Sequence, residues 1–171
     1  MTNPNNEEIF PIVNEQGEVI GHETRNYCHS GAKPLHPVVH LHILNPQGEL
    51  YLQKRAMNKD IQPGKWDTAV GGHIRYGESV EEALTREANE ELNINGFSAQ
   101  RVLCYIFESA IEKELVYTHI TTFDGEITPD GDELETGRFW PIHEIEQHLG
   151  QNIFTPNFEQ EFSRLRQIKI L

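Results

Sequence analysis

Apolar and polar positions alternate with a period near two along most of this chain, and the places where the period changes mark its elements. Residues 9–13 and 19–24 flank Asn14-Glu15-Gln16-Gly17, which predicts a hairpin of two short strands. Residues 36–44 (HPVVHLHIL) and 49–55 (ELYLQKR) flank Asn45-Pro46-Gln47-Gly48 and predict a second, clearer hairpin. Pro63-Gly64-Lys65-Trp66 then turns into a short apolar run over 68–70. From about 80 to 92 the spacing becomes helical, and strand-like pieces return over 102–108 and 116–123 as an antiparallel pair. Phe139-Trp140 reads as a last short strand, 142–149 as a helix opened by Pro141, and 157–168 as a terminal amphipathic helix. Many strands around one central helix predict an α/β/α sandwich about a mixed β-sheet.

The central helix carries the densest chemistry. Gly72 to Ile94 reads GHIRYGESVEEALTREANEELNI, and Glu87, Glu90 and Glu91 fall at i, i+3 and i+4, on one helical face. Each like-charge pair at that spacing costs on the order of 0.2–0.5 kcal/mol unless something neutralises it. A hard divalent cation does so, and oxygen-only ligands suit Mg²⁺ or Mn²⁺. Gly71-Gly72 allow a close backbone approach to a phosphate, and Glu78 and Arg86, eight apart, are suited to clamp the preceding loop onto the helix.

With these residues the segment resembles the signature of the Nudix hydrolases, matching at Gly72, Glu78, Arg86, Glu87, Ala88, Glu90, Glu91 and Ile94. Asn93 stands where that signature has Gly, and Asn tolerates the left-handed conformation a helix end requires. The resemblance implies the same α/β/α sandwich over a single domain, 1–171. Residues 1–6 would be a tail and 7–35 an N-terminal β-hairpin extension. It also implies a catalytic set of Glu78, Arg86, Glu87, Glu90 and Glu91, of which the last three would hold Mg²⁺.

Residues 45–55, Lys59, Pro63-Gly64, Trp66-Asp67 and Thr155-Pro156 extend the likeness to the branch that includes isopentenyl diphosphate isomerase and its hydrolase relatives. That branch implies a second metal site, whose pattern falls on His29, His36, His73, Glu112 and Glu114, with imidazole and carboxylate ligands suited to Zn²⁺ or Mn²⁺. His40 and His42 on the same predicted strand show that histidine alone specifies little here. The isomerase's Cys acid falls on Gly71 and its Trp on Asn157, whereas the box of glutamates is complete, so the resemblance favours hydrolysis over double-bond movement. Cys28 and Cys104 fit no catalytic role.

Composition narrows the partners. With 27 acidic and 14 basic residues the formal charge is −13, which repels nucleic-acid polymers and anionic membranes. Two cysteines make no disulfide framework, and no apolar run reads as a signal peptide or a bilayer span, which points to the cytoplasm. Monomer and homodimer fit the chain equally. The expected activity is metal-dependent cleavage of the pyrophosphate bond of a nucleoside diphosphate linked to another moiety, or of a related diphosphate. The alternatives are an isopentenyl diphosphate isomerase-like or prenyl diphosphate-binding protein and a non-catalytic nucleotide-sensing module. Gly72, Arg55 and Lys54 are candidate phosphate contacts. Glu90, Glu91, Glu133 and Glu135 are candidate bases, and Trp66 is read as core packing.

Overall fold

Hydrogen-bond pairing in the computed structural model, which describes residues 7–59, 61–131 and 134–171, assembles nine strands and four helices. Ile9–Val13 (β1) and Val19–Thr24 (β2) form a separate two-stranded antiparallel sheet, and one helical turn, Arg25–Cys28 (α1), follows where no helix was expected. Thr24 caps it by accepting from the Tyr27 N–H. The main sheet contains Leu35–Leu44 (β3), Leu50–Arg55 (β4), Trp66–Thr68 (β5), Val70–His73 (β6), Gln100–Glu108 (β7), Lys113–Thr122 (β8) and Leu134–Trp140 (β9). It is mixed, because β3 runs parallel to β8 and antiparallel to β6.

The second hairpin departs from expectation. Its turn is present, with Asn45 Oδ1 accepting from the Gln47 and Glu49 N–H groups, but β3 and β4 pair only at Leu44 and Leu50. Beyond that point β6 pairs with β3 and β5 pairs with β4, so residues 66–73 pass from one strand to the other. A turn fixes the reversal of the chain, but distant segments compete for the remaining backbone groups. The last strand is also longer than the Phe139-Trp140 pair, because its earlier residues continue the ladder on β4.

Helices cover both faces. Val80–Leu92 (α2) starts with a capping box between Ser79 and Glu82 and ends at Asn93, whose φ of 55° and ψ of 33° are left-handed. It buries Ala83, Leu84, Ala88 and Leu92 against Val39, Leu41 and Ile43 of β3. Leu92→Ala would cost about 2–5 kcal/mol. On the opposite face lie Ile142–His148 (α3) and Pro156–Gln167 (α4). There Phe158, Phe162 and Ile145 pack with Leu50, Leu52 and Trp140. Trp66 meets Trp140 edge-on in that cluster, with ring centroids 5.2 Å apart.

Candidate functional site

One cleft of about 1050 Å³ gathers most of the residues singled out by sequence. The glycines Gly71 and Gly72 of β6 lie between the Glu-rich face of α2 and β3. A side chain at Gly72 would displace the Glu87 carboxylate, which stands where its Cβ would be. The N–H of Gly71 donates to Glu91 Oε2 at 3.3 Å, and Gln53 Nε2 donates to the same oxygen at 3.3 Å.

Arg86 fastens the loop to the helix. Its Nε and Nη2 donate to the two oxygens of Glu78 at 2.7 and 2.9 Å, a bidentate pair. Nη1 donates to Glu87 at 2.6 Å and Glu90 at 3.3 Å, and Nη2 also reaches the His73 carbonyl at 3.0 Å. Burial pushes Glu78 up, but Arg86 and the Arg75 N–H outweigh it and leave this carboxyl below its ordinary range. At Glu87 burial wins over Arg86 and the carboxyl is raised. The helix face is therefore partly neutralised by an arginine: Glu87 and Glu90 lean to Arg86, Glu91 to Gln53 and Gly71.

A second cluster, of histidines and acids, lies along the same cleft. Nε2 of His29, just past α1, lies 2.9 Å from Glu112 Oε2 and 3.4 Å from His73 Nε2. The ligand atoms of His29, His36, His73 and Glu112 all lie within 4.8 Å of one another, and His73 Nε2 is 3.7 Å from Glu114 Oε1. His36 Nδ1 lies 2.9 Å from the Pro34 carbonyl, which can only accept. Nδ1 therefore carries the proton, and the buried Nε2 keeps its lone pair with no hydrogen-bond partner among the described residues. That is the tautomer a metal ligand needs. Burial lowers His29 and His36 and takes His73 well below the ordinary range, while burial and Glu112 push Glu114 up to about 8. Neutral imidazoles around crowded carboxylates fit a divalent cation.

Sequence reasoning missed several neighbours. Phe10 of β1, fully buried, stacks on His73 with centroids 4.4 Å apart and planes 5° from parallel, so the N-terminal hairpin backs this cluster. His40 also lines the cleft, and its Nδ1 meets the fully buried Glu161 of α4 at 2.8 Å. One signal for Glu161 was present: it interrupts the apolar stripe of Phe158, Phe162 and Leu165. Of the candidate phosphate contacts, Arg55 and Gly72 line the cleft; Lys54, one residue from Arg55 along β4, does not. Arg55 is tied to Asp67 at 3.5 Å and to the Ile61 carbonyl at 3.1 Å. Glu133 lies outside the described residues, and of Glu135 only the backbone, in β9, is described.

The NUDIX domain family matches residues 34–162, three quarters of the chain. The chain belongs to that family. It is 29% identical over 164 residues to an uncharacterized Nudix hydrolase of Streptomyces coelicolor, covering 94% of this chain and 89% of that protein. It is 32% identical over 157 residues to an isopentenyl-diphosphate Delta-isomerase of Serratia proteamaculans, covering 88% and 84%. Among solved structures, one from Deinococcus radiodurans superposes with a TM-score of 0.79 at 24% identity over 92% of this chain and 98% of that one. The Nudix fold and the N-terminal hairpin that precedes the matched residues are thus both present. No helix among the described residues is long and apolar enough to cross a membrane.

Proposed function

We propose that this Nudix protein hydrolyses the pyrophosphate bond of a nucleoside diphosphate linked to another moiety, or of a related diphosphate, with Mg²⁺ or Mn²⁺ at Glu87, Glu90 and Glu91. The carrying observation is the cleft itself, where the acidic wall of α2 meets Arg25, Arg55, Lys59 and Arg75 across one space. A phosphate chain supplies the anionic oxygens that cations at the rim bind, and also the further ligands that Mg²⁺ requires. When bound, the ion neutralises phosphoryl oxygens and lowers the pKa of a coordinated water. The chain's own part is placement. Arg86 holds Glu87 and Glu90 in position, Gln53 and the Gly71 N–H hold Glu91, and Gly72 leaves room for the Glu87 carboxylate against the backbone.

The test is release of phosphate or nucleoside monophosphate from a panel of nucleoside diphosphate derivatives and prenyl diphosphates with Mg²⁺. Turnover should fall on the order of 10²–10³-fold in Glu91→Gln. Retention of full turnover by Glu91→Gln would remove the metal-centred reading.

A second reading, isomerase-like chemistry or prenyl diphosphate binding, rests on the convergence of His29, His36, His73 and Glu112 and on the isomerase relative. Zn²⁺ or Mn²⁺ fits that donor set. Gly71 offers no side-chain acid, so we assign the cluster to substrate placement. Isomerisation of a prenyl diphosphate in the same panel would reverse that assignment, and binding without turnover of any member would favour the sensing module.

A further inference from the structure

Glu161 is a fully buried carboxylate on the apolar face of α4. It collects three donors. His40 Nδ1 lies 2.8 Å from Oε2, His42 Nε2 lies 2.6 Å from Oε1, and the Tyr105 hydroxyl donates to Oε2. A carboxylate so far from water stays ionised only beside a counter-charge. His42, fully buried, donates Nε2–H to the carboxylate, and its Nδ1 has no hydrogen-bond partner among the described residues. His40 supplies that charge, with a side chain that is 12% exposed and reaches the cleft. Burial draws His40 down, but the charge and hydrogen bond of Glu161 outweigh it and push it up to about 9. Glu114 and Asp67 add negative charge on the same ring.

The free edge of the ring has a defined outlook. A Cβ on Gly71 would stand 3.4 Å from His40 Cδ2 and 3.6 Å from Nε2, so this edge lies beside the glycine whose N–H holds Glu91. With Nδ1 committed to Glu161, the imidazolium has one donor left, Nε2–H. We propose that His40 is a substrate-contacting residue of the cleft, donating Nε2–H to an anionic oxygen of the bound diphosphate, with Glu161 as the positioning residue. This contact builds on the diphosphate reading above. Charged donor and acceptor make it a strong hydrogen bond, and its loss should weaken diphosphate binding about tenfold.

The probe is methylenediphosphonate, a diphosphate that cannot be hydrolysed, added with Mg²⁺ to the full chain with ¹⁵N-labelled histidine. In the wild type the His40 Nε2–H signal should shift on binding. His40→Gln should raise the dissociation constant about tenfold, while His143→Gln, at an exposed position of α3, leaves it within about twofold. In folded Glu161→Gln the His40 Nδ1–H signal should move away from its carboxylate-bonded position, and the affinity should fall with it; wild-type affinity there would remove the positioning role. Binding that leaves the His40 signal still, or no binding by the wild type, overturns the proposal, and neither result needs a variant to fold. The two readings separate. Turnover with unchanged KM and kcat in His40→Gln removes the contact and keeps the hydrolase, whereas a shifted His40 signal without turnover of any panel member does the reverse.

Discussion

His36 and His40 lie four residues apart on the same strand and on the same side of it, yet their surroundings push them to opposite charge states. His36 sits among His29, His73 and Glu112, with burial as its main influence and a lone pair left without a partner. His40 sits against a buried carboxylate that holds its proton. Residue type and strand position are shared, so the partner decides the chemistry. An imidazole among imidazoles is open to a cation, whereas His40, against a buried carboxylate, holds the proton itself.

The largest expected effect separates the two carboxylates involved. Glu161→Ala strands three donors, one of them the His40 imidazolium, and should lower folding stability by about 3–5 kcal/mol in urea denaturation. Glu112→Ala, in the metal-free cluster, should cost less than about 1 kcal/mol, because it also relieves crowding with Glu114. Comparable losses in both would erase the distinction. Metal addition sharpens it next. Zn²⁺ at about a hundred times its dissociation constant should stabilise the wild type by about 2.7 kcal/mol. That gain should vanish in His36→Gln and survive in His40→Gln.

The pH dependence is smaller and has a definite sign. His40 is raised on folding, so its contribution is complete below about 6.5, its unfolded value, and is lost as pH climbs through about 9. Denaturation from pH 6.5 to 9.5 should therefore show the wild type losing on the order of 1–2 kcal/mol relative to His40→Gln. Parallel curves would show that the pair carries no such charge. The smallest change belongs to Glu90, half-exposed at the cleft mouth: Glu90→Gln should shift stability by no more than about 0.5 kcal/mol.

What could be read in advance divides along the same line. The α2 segment was legible because its signals are local: the spacing turns helical near residue 80, Asn93 ends it, and Glu87, Glu90 and Glu91 share a face by period alone. The splaying of β3 from β4 was not, since its turn is ordinary and the residues of the competing strand lie 29 to 35 positions from their partners. The His40–Glu161 pair spans 121 residues, and nothing near His40 announces its partner. Glu161 itself was the better clue, because a carboxylate in the apolar stripe of an amphipathic helix must find donors across the core. Phe10 had no signal of that kind; its role came from stacking between the N-terminal hairpin and His73.

The most direct measurement is anomalous diffraction from crystals grown with Zn²⁺, Mn²⁺ and methylenediphosphonate, recorded at both metal edges. Zn²⁺ should appear among His29, His36, His73 and Glu112, and Mn²⁺ between Glu91 of α2 and the diphosphonate oxygens. A diphosphonate seated in the cleft with no Mn²⁺ against the box glutamates would contradict this placement.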